Sequence, residues 1–246
     1  MFSPGKENDV TGTPSSRRHR LKHEAVTSAR PVAFDMIGTL FSLEAPHRVL
    51  NELGAPSATF DIWFSGGLRD YFARSYSGAY APLKNVLETT LPRAARIVEW
   101  NIDEGSIPEV IASLRELSPI EGAGPALGKL TGAGWRNIAV TNGSRDVAEH
   151  LLIRSGLRQH VSVVISCDDL GVSKPHPRVY NEVKRSSQGE VWLVSAHAWD
   201  VAGAMQAGIR GVWLSMTEHL YPGFLPPPDI TSDDLDAAVA SLLAAG

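Results

Sequence analysis

The sequence predicts an α/β protein, a doubly wound parallel sheet interrupted after its first strand by an inserted helical cap domain. Three observations predict it. Short runs of nearly continuous apolar residues recur along the chain, as expected for parallel strands buried on both faces. Helix-periodic segments lie between the later runs, and strand alternating with helix means a parallel sheet. Between the first and second runs lie about a hundred residues with no convincing strand series, too long for a loop in a compact domain.

Taken in order, residues 1–30 are polar and include the basic cluster Arg17-Arg18-His19-Arg20. They lack the apolar centre of a secretory signal and read as a disordered tail rather than a nucleic-acid arm. The first strand is expected at 31–37. Helical patterns follow at 45–53, 58–75, 81–91 and 107–117, and the Pro- and Gly-rich stretch 118–125 reads as the linker returning to the sheet. Strands are expected at 137–142, 161–166, 190–196 and 211–216, rich in Val, Ile, Ala and Trp. The helix expected at 146–155 places Val147, Leu151 and Leu152 on one face, and Gly156 suits its C-terminal cap. Segments 177–184 and 200–207 read the same way, the latter ending before Gly208. Beyond Met216 the Pro-rich stretch 222–228 leads to a short strand at 229–231 and a last helix at 233–244. The expected division is a tail at 1–30, a core made of 31–44 and 120–246, and a helical cap at 45–119.

Composition bounds the function. The 246 residues suit one large domain or two smaller ones. A net charge of -4, with 43% hydrophobic and 20% charged residues, gives no reason to expect a nucleic-acid partner. The single cysteine, Cys167, excludes an intramolecular disulfide and suits a reducing cytoplasm. No run approaches the ~18 apolar residues that cross a bilayer. The expected partner is a small-molecule substrate, with no nucleic acid and no membrane; a homodimer stays open.

Four segments carry the chemistry. In Phe34-Asp35-Met36-Ile37-Gly38-Thr39-Leu40 an apolar strand delivers a carboxylate to a glycine turn at the carboxyl edge of the sheet, where open α/β folds bind ligands. Asp35 is the candidate nucleophile, since a carboxylate can attack an electrophilic carbon or phosphorus and form an ester intermediate. Thr39 is spaced to hydrogen-bond it. Val140-Thr141-Asn142-Gly143-Ser144 offers a hydroxyl, an amide and backbone N–H groups at the same edge, donors suited to a carboxylate, a departing halide or a phosphoryl oxygen. Ser173-Lys174-Pro175 brings a cation to offset charge at the centre. Val194-Ser195-Ala196-His197-Ala198-Trp199-Asp200 adds a hydroxyl, an imidazole and a second carboxylate.

The types, order and settings of these segments resemble the four motifs of the haloacid dehalogenase (HAD) superfamily, over residues 31 to 216 and most closely its 2-haloacid dehalogenase branch. The resemblance implies a Rossmann-like core and no metal. By position it gives Asp200 the role of orienting or activating the water that hydrolyses the ester, and places Tyr180 where the dehalogenases also carry tyrosine. Ser195, His197, Thr141 and Asn142 would bind substrate or stabilise charge. His197 stands where those dehalogenases carry asparagine, and so brings a titratable group to the motif.

Two positions depart from the family. HAD phosphatases carry a second aspartate two residues after the nucleophile, to protonate the leaving alkoxide; here that position is Ile37, which argues against phosphomonoester hydrolysis. Halide departs without a proton. Trp63-Phe64-Ser65-Gly66-Gly67-Leu68 resembles a dehalogenase stretch whose arginine helps halide leave, and Phe64 aligns with that arginine. Phe64 is therefore expected to face the reaction centre. The resulting expectation is an aspartate-nucleophile hydrolase displacing halide from a small 2-haloacid. The alternatives are a HAD hydrolase of a phosphate or phosphonate compound, with Mg²⁺ held by Asp35 and Asp200 or with Lys84 forming a Schiff base, and a catalytically inactive HAD-fold binding protein.

Overall fold

The computed structural model describes residues 30–245. All of the expected N-terminal tail except Arg30 lies outside the described residues. The first strand, β1 (Pro31–Asp35), is completely buried. Four helices follow it: α1 (Glu44–Glu52), α2 (Thr59–Tyr76), α3 (Leu83–Ile97) and α4 (Ile107–Ser113). The chain continues through α5 (Ala123–Gly132), β2 (Arg136–Thr141), α6 (Arg145–Arg154), β3 (Val161–Ser166), the single turn α7 (Cys167–Leu170) and α8 (Pro177–Arg185). It closes with β4 (Trp192–Ser195), α9 (Ala198–Gln206), β5 (Arg210–Leu214), β6 (Ile230–Ser232) and α10 (Leu235–Ala245).

The six strands form one sheet in the order β3-β2-β1-β4-β5-β6, every neighbouring pair parallel. Successive side chains of a strand point to opposite faces, and the core divides accordingly. Val32 and Phe34 of β1, with Trp192 and Val194 of β4, pack on one face against α5, α6 and α10. Ala33 and Leu193 pack on the other, with Val179, Tyr180 and Val183 of α8. Helices on both faces explain why the strands read as unbroken apolar runs. The chain leaves β1 for β2 on one side and later returns to β4 on the other. The crevice between β1 and β4 is thus the topological switch point, where ligands bind in such sheets.

Helices α1 to α4 have an apolar core of their own, including Leu50, Trp63, Tyr71, Leu87, Leu91 and Val110. The chain enters and leaves this insertion side by side. Ser42 N–H donates to Ser118 O at 2.9 Å, and Ile120 N–H to Leu40 O at 2.9 Å. Ile37 and Leu43 pack against both the insertion and the sheet core.

Element boundaries differ from expectation where local and tertiary signals compete. Pro92 marks the expected end of the third inserted helix, yet α3 runs on to Ile97. Proline removes one helical N–H, and burial of Leu91, Ala94 and Ala95 outweighs that loss. The fourth stops early, at Ser113, whose hydroxyl donates to Val110 O at 2.6 Å while Leu114 and Arg115 close tighter i to i−3 turns. The linker expected at 118–125 ends at Gly122 (φ +80°), and α5 begins inside it. Three glycines and a proline disguised this helix, although Ala123, Ala126, Leu127 and Leu130 bury one helical stripe.

Candidate active site

At the switch point β1 ends on Asp35, and the next residues turn back sharply, with Gly38 at φ +84°. A Cβ on Gly38 would lie 2.8 Å from His197 Nε2, so glycine is required both for the turn and for that approach. The Thr39 hydroxyl donates to Asp35 Oδ2 at 2.6 Å and accepts from Ala196 N–H at 3.0 Å, tying the β1 turn to the β4 turn.

Lys174 reaches this point from the loop after β3. Its ammonium lies 2.5 Å from Asp35 Oδ1 and 2.7 Å from Asp200 Oδ2, with Lys174 and Asp200 both 0% exposed. Burial alone would lower the lysine pKa; Asp200 and then Asp35 more than offset it, so the ammonium is held above the ordinary lysine range. Asp200, in the first turn of α9, gives its other oxygen to the Tyr180 hydroxyl at 2.7 Å. Burial and the Asp200 charge push the Tyr180 phenol well above its usual range, so it stays a donor. Gly203 lets α9 approach, since a Cβ there would lie 2.5 Å from Pro175 Cβ and 2.9 Å from Tyr180 Oη.

The β2 turn supplies amide groups. Asn142 Oδ1 accepts from Lys174 N–H at 2.9 Å, which leaves its NH₂ for the pocket, and Thr141 Oγ1 accepts from Gly143 N–H at 3.0 Å. His197 Nε2 lies 3.0 Å from Ile37 O and 3.7 Å from Asp35 Oδ2. Its other nitrogen lies 3.8 Å from Glu218 Oε1, and the ring stacks on Trp199. Burial lowers the imidazole pKa, but Glu218 and then Asp35 raise it, and the net position is above the ordinary histidine value. Glu218 itself accepts from Ala198 N–H at 2.9 Å.

A raised histidine pKa fixes the sign of a stability effect. The charged His197 pairing contributes fully below the unfolded value of about 6.5 and is lost as pH rises through the higher folded value. Urea unfolding of His197→Asn beside the wild type should therefore show a stability gap at pH 6 that narrows by pH 9. A gap that widens with pH would contradict the assignment.

The structure thus brings Asp35, Thr39, Thr141, Asn142, Lys174, Tyr180, Ser195, His197 and Asp200 to one sheet edge, but not all into the pocket. Asp35, Asn142, His197 and Trp199 line it together with Ile37, Phe64, Leu68 and Leu83. Phe64 comes from α2 and stacks on Phe60 with ring centroids 5.4 Å apart. Ser195 departs from the expected substrate contact: it is fully buried, and its Oγ accepts from His197 N–H at 3.1 Å within the turn. Tyr180 likewise touches Asp200 rather than the pocket.

Two residues, Glu218 and Tyr71, escaped the sequence reading. Glu218 sits in a turn with no motif, and its only signal was its place just past a strand end. Tyr71 donates to Asn142 O at 2.9 Å, and Tyr80 donates to Asp168 Oδ1 at 2.5 Å. With Ser75, whose Oγ accepts from Ser173 N–H at 2.8 Å, they fasten α2 and the segment after it to the loops bearing Asn142 and Lys174.

Among the described residues no group of three His, Cys, Asp or Glu side chains is arranged to hold a metal ion. Asp35 and Asp200, the pair considered for Mg²⁺, share the Lys174 ammonium between them; the Ile37 side chain adds no oxygen, and its carbonyl is engaged by His197 Nε2 at 3.0 Å. A hard dication needs several oxygens at close range, so this donor set does not fit it.

A carboxylate held by a hydroxyl and a buried ammonium, at the switch point of a parallel sheet, defines a hydrolase with a carboxylate at its centre. A family profile described as haloacid dehalogenase-like hydrolase matches residues 30–208. The chain belongs to that family, in its 2-haloacid dehalogenase branch. It is 28% identical over 216 residues to haloacetate dehalogenase H-2 of Moraxella sp. (strain B), covering 85% of this chain and 95% of that one. It is 29% identical over 192 residues to (S)-2-haloacid dehalogenase 4A of Burkholderia cepacia, covering 76% and 83%. Its fold matches the L-2-haloacid dehalogenase of Xanthobacter autotrophicus with chloropropionic acid covalently bound, at a TM-score of 0.76 and 22% identity over 87% of this chain and 98% of that one.

Proposed function

We propose that this protein hydrolyses the carbon–halogen bond of 2-halo carboxylic acids through an ester on Asp35. The observation that carries the reading is the Asp35–Lys174–Asp200 array beside Ile37, a nucleophile with its counter-charge and with isoleucine where a general acid would stand two residues after it. The names of the relatives, dehalogenases of haloacetate and of 2-haloacids, point the same way.

In the first step an Asp35 oxygen attacks the substrate's C2 and the halide leaves with the bonding electron pair. His197 lines the pocket beside Asp35 and, when protonated, places positive charge near the departing anion where Phe64 offers none. In the second step water adds to the ester carbonyl of Asp35 and the 2-hydroxy acid departs. Thr39 and Lys174 each donate to one oxygen of Asp35, so whichever oxygen attacks, the other keeps a donor against the charge of the tetrahedral intermediate. Asp200 takes the water's proton and returns it to the hydroxyl oxygen of the departing 2-hydroxy acid as the intermediate collapses, and the regenerated Asp35 carboxyl releases its own proton to solvent. Both Asp200 oxygens are engaged in the resting arrangement, but esterification removes the Asp35 charge and loosens its hold on Lys174, which opens room for water between the two. Residues 45–119 act as a cap over this site, fastened by Tyr71, Ser75 and Tyr80.

Halide release from 2-chloropropionate and chloroacetate, with p-nitrophenyl phosphate as comparison and EDTA in parallel, tests the reading. The expected result is chloride release insensitive to EDTA and negligible phosphate release. General-acid help is worth roughly two to four orders of magnitude, and Ile37 cannot give it. Magnesium-dependent phosphate release without chloride release would overturn the proposal. Phe64→Arg should raise chloride release about tenfold or more, because a positioned charge can stabilise such a transition state by about 3 kcal/mol. No gain would remove Phe64 from the halide path.

A further inference from the structure

The pocket at Asp35 is small. Its free volume is about 20 Å³, room for about one water. It holds no space for a substrate tail. A second cavity of about 360 Å³ adjoins it, and Ile37, Phe64 and Leu83 wall both. A volume near 360 Å³ falls within the range of pockets that enclose small organic ligands. The chamber lies between α3, α4 and the start of α6, and Leu87, Ile111, Leu114 and Val147 give it apolar walls. Charged side chains stand at its edge and are paired off: Lys84 with Glu88 at 3.4 Å, Arg115 with Asp146 at 2.6 Å. Asp168 accepts from Tyr80. An anionic tail would find Lys84 and Arg115 already paired, whereas an apolar tail would exchange water for hydrocarbon walls.

We propose that this chamber receives the 2-substituent of the substrate, and that the enzyme prefers 2-halo acids with an apolar chain of several carbons over haloacetate. The inference rests on the dehalogenase reading of the adjacent site. The Asp35 pocket must widen to admit C2 and the carboxylate beside Asn142, and the chain then passes between Ile37 and Phe64. These two residues then form the passage between the two cavities.

The test is a chain-length series of 2-bromo acids, acetate through propionate and hexanoate to octanoate, followed by bromide release. Burial of each added methylene should raise kcat/KM about three- to fourfold, so 2-bromohexanoate should exceed 2-bromopropionate by on the order of thirtyfold. Ala112→Trp, at the chamber wall, should lower kcat/KM for 2-bromohexanoate at least tenfold more than for 2-bromopropionate. Val147→Phe, across the chamber, provides the same reading if the tryptophan variant does not fold. A kcat/KM that falls steadily from bromoacetate onward would overturn the proposal. Calorimetry with octanoate and acetate separates the two layers of the argument. Bromide release from none of the acids, with octanoate bound more tightly than acetate and weakened by Ala112→Trp, would reject dehalogenation and keep the chamber. Octanoate bound no more tightly than acetate would reject the chamber whatever the chemistry.

Discussion

Asp35→Asn is expected to abolish halide release while leaving the fold in place. The substitution keeps the shape of the side chain and removes the charge proposed to attack C2. Loss of an attacking nucleophile costs roughly four to six orders of magnitude in turnover. The fold should persist because Lys174 keeps Asp200 at 2.7 Å and the Thr39 hydroxyl can still donate to an amide oxygen. Thermal unfolding followed by circular dichroism, alongside chloride release, checks both halves. Activity within tenfold of wild type would take the nucleophile's role away from Asp35.

Lys174→Met should have the largest effect on stability. The ammonium is the shared partner of two buried carboxylates, and its removal strands Asp200 and leaves Asp35 with the more distant His197, 3.7 Å away. Breaking a buried ion pair by deleting one partner costs about 3–5 kcal/mol, and here two pairs break at once. Methionine fills similar space, so the loss reports charge rather than a cavity. Urea denaturation should show the drop, and Asp200→Asn in the Lys174→Met background should recover part of it by removing one stranded charge. No loss of stability in Lys174→Met would mean that the buried triad is not the electrostatic centre described above.

Much of the sheet was legible because buried parallel strands leave a blunt signal: 161–166 was read at the bounds that β3 adopts, and the others within two residues at either end. The helices were harder. The α5 stripe was hidden by glycine and proline, whose local preferences were overruled by burial against the sheet. The extension of α3 through Pro92 has a parallel cause, burial within the core of the inserted helices. At the candidate site, the residues carried by strand-end motifs were legible since their spacing from a strand fixes where they emerge. The distinction between pocket-lining and supporting side chains was not. Ser195 and His197 are two positions apart, yet one caps the turn and the other faces the pocket, a matter of turn geometry that spacing does not encode. Glu218 and Tyr71 depend on contacts between segments distant in sequence, and nothing local marks them. The adjoining chamber was invisible for the same reason, because its walls come from α3, α4 and α6.

The central claim is that the reaction passes through an ester on Asp35. A single turnover of excess enzyme with 2-chloropropionate in heavy-oxygen water, followed by mass spectrometry of the peptide carrying Asp35, tests it most directly. Water attacking the ester carbonyl leaves the heavy oxygen in the Asp35 carboxylate and the ordinary oxygen in the product. The expected result is therefore a labelled Asp35 peptide with unlabelled lactate; labelled lactate with an unlabelled Asp35 peptide would contradict covalent catalysis and with it this account of the site.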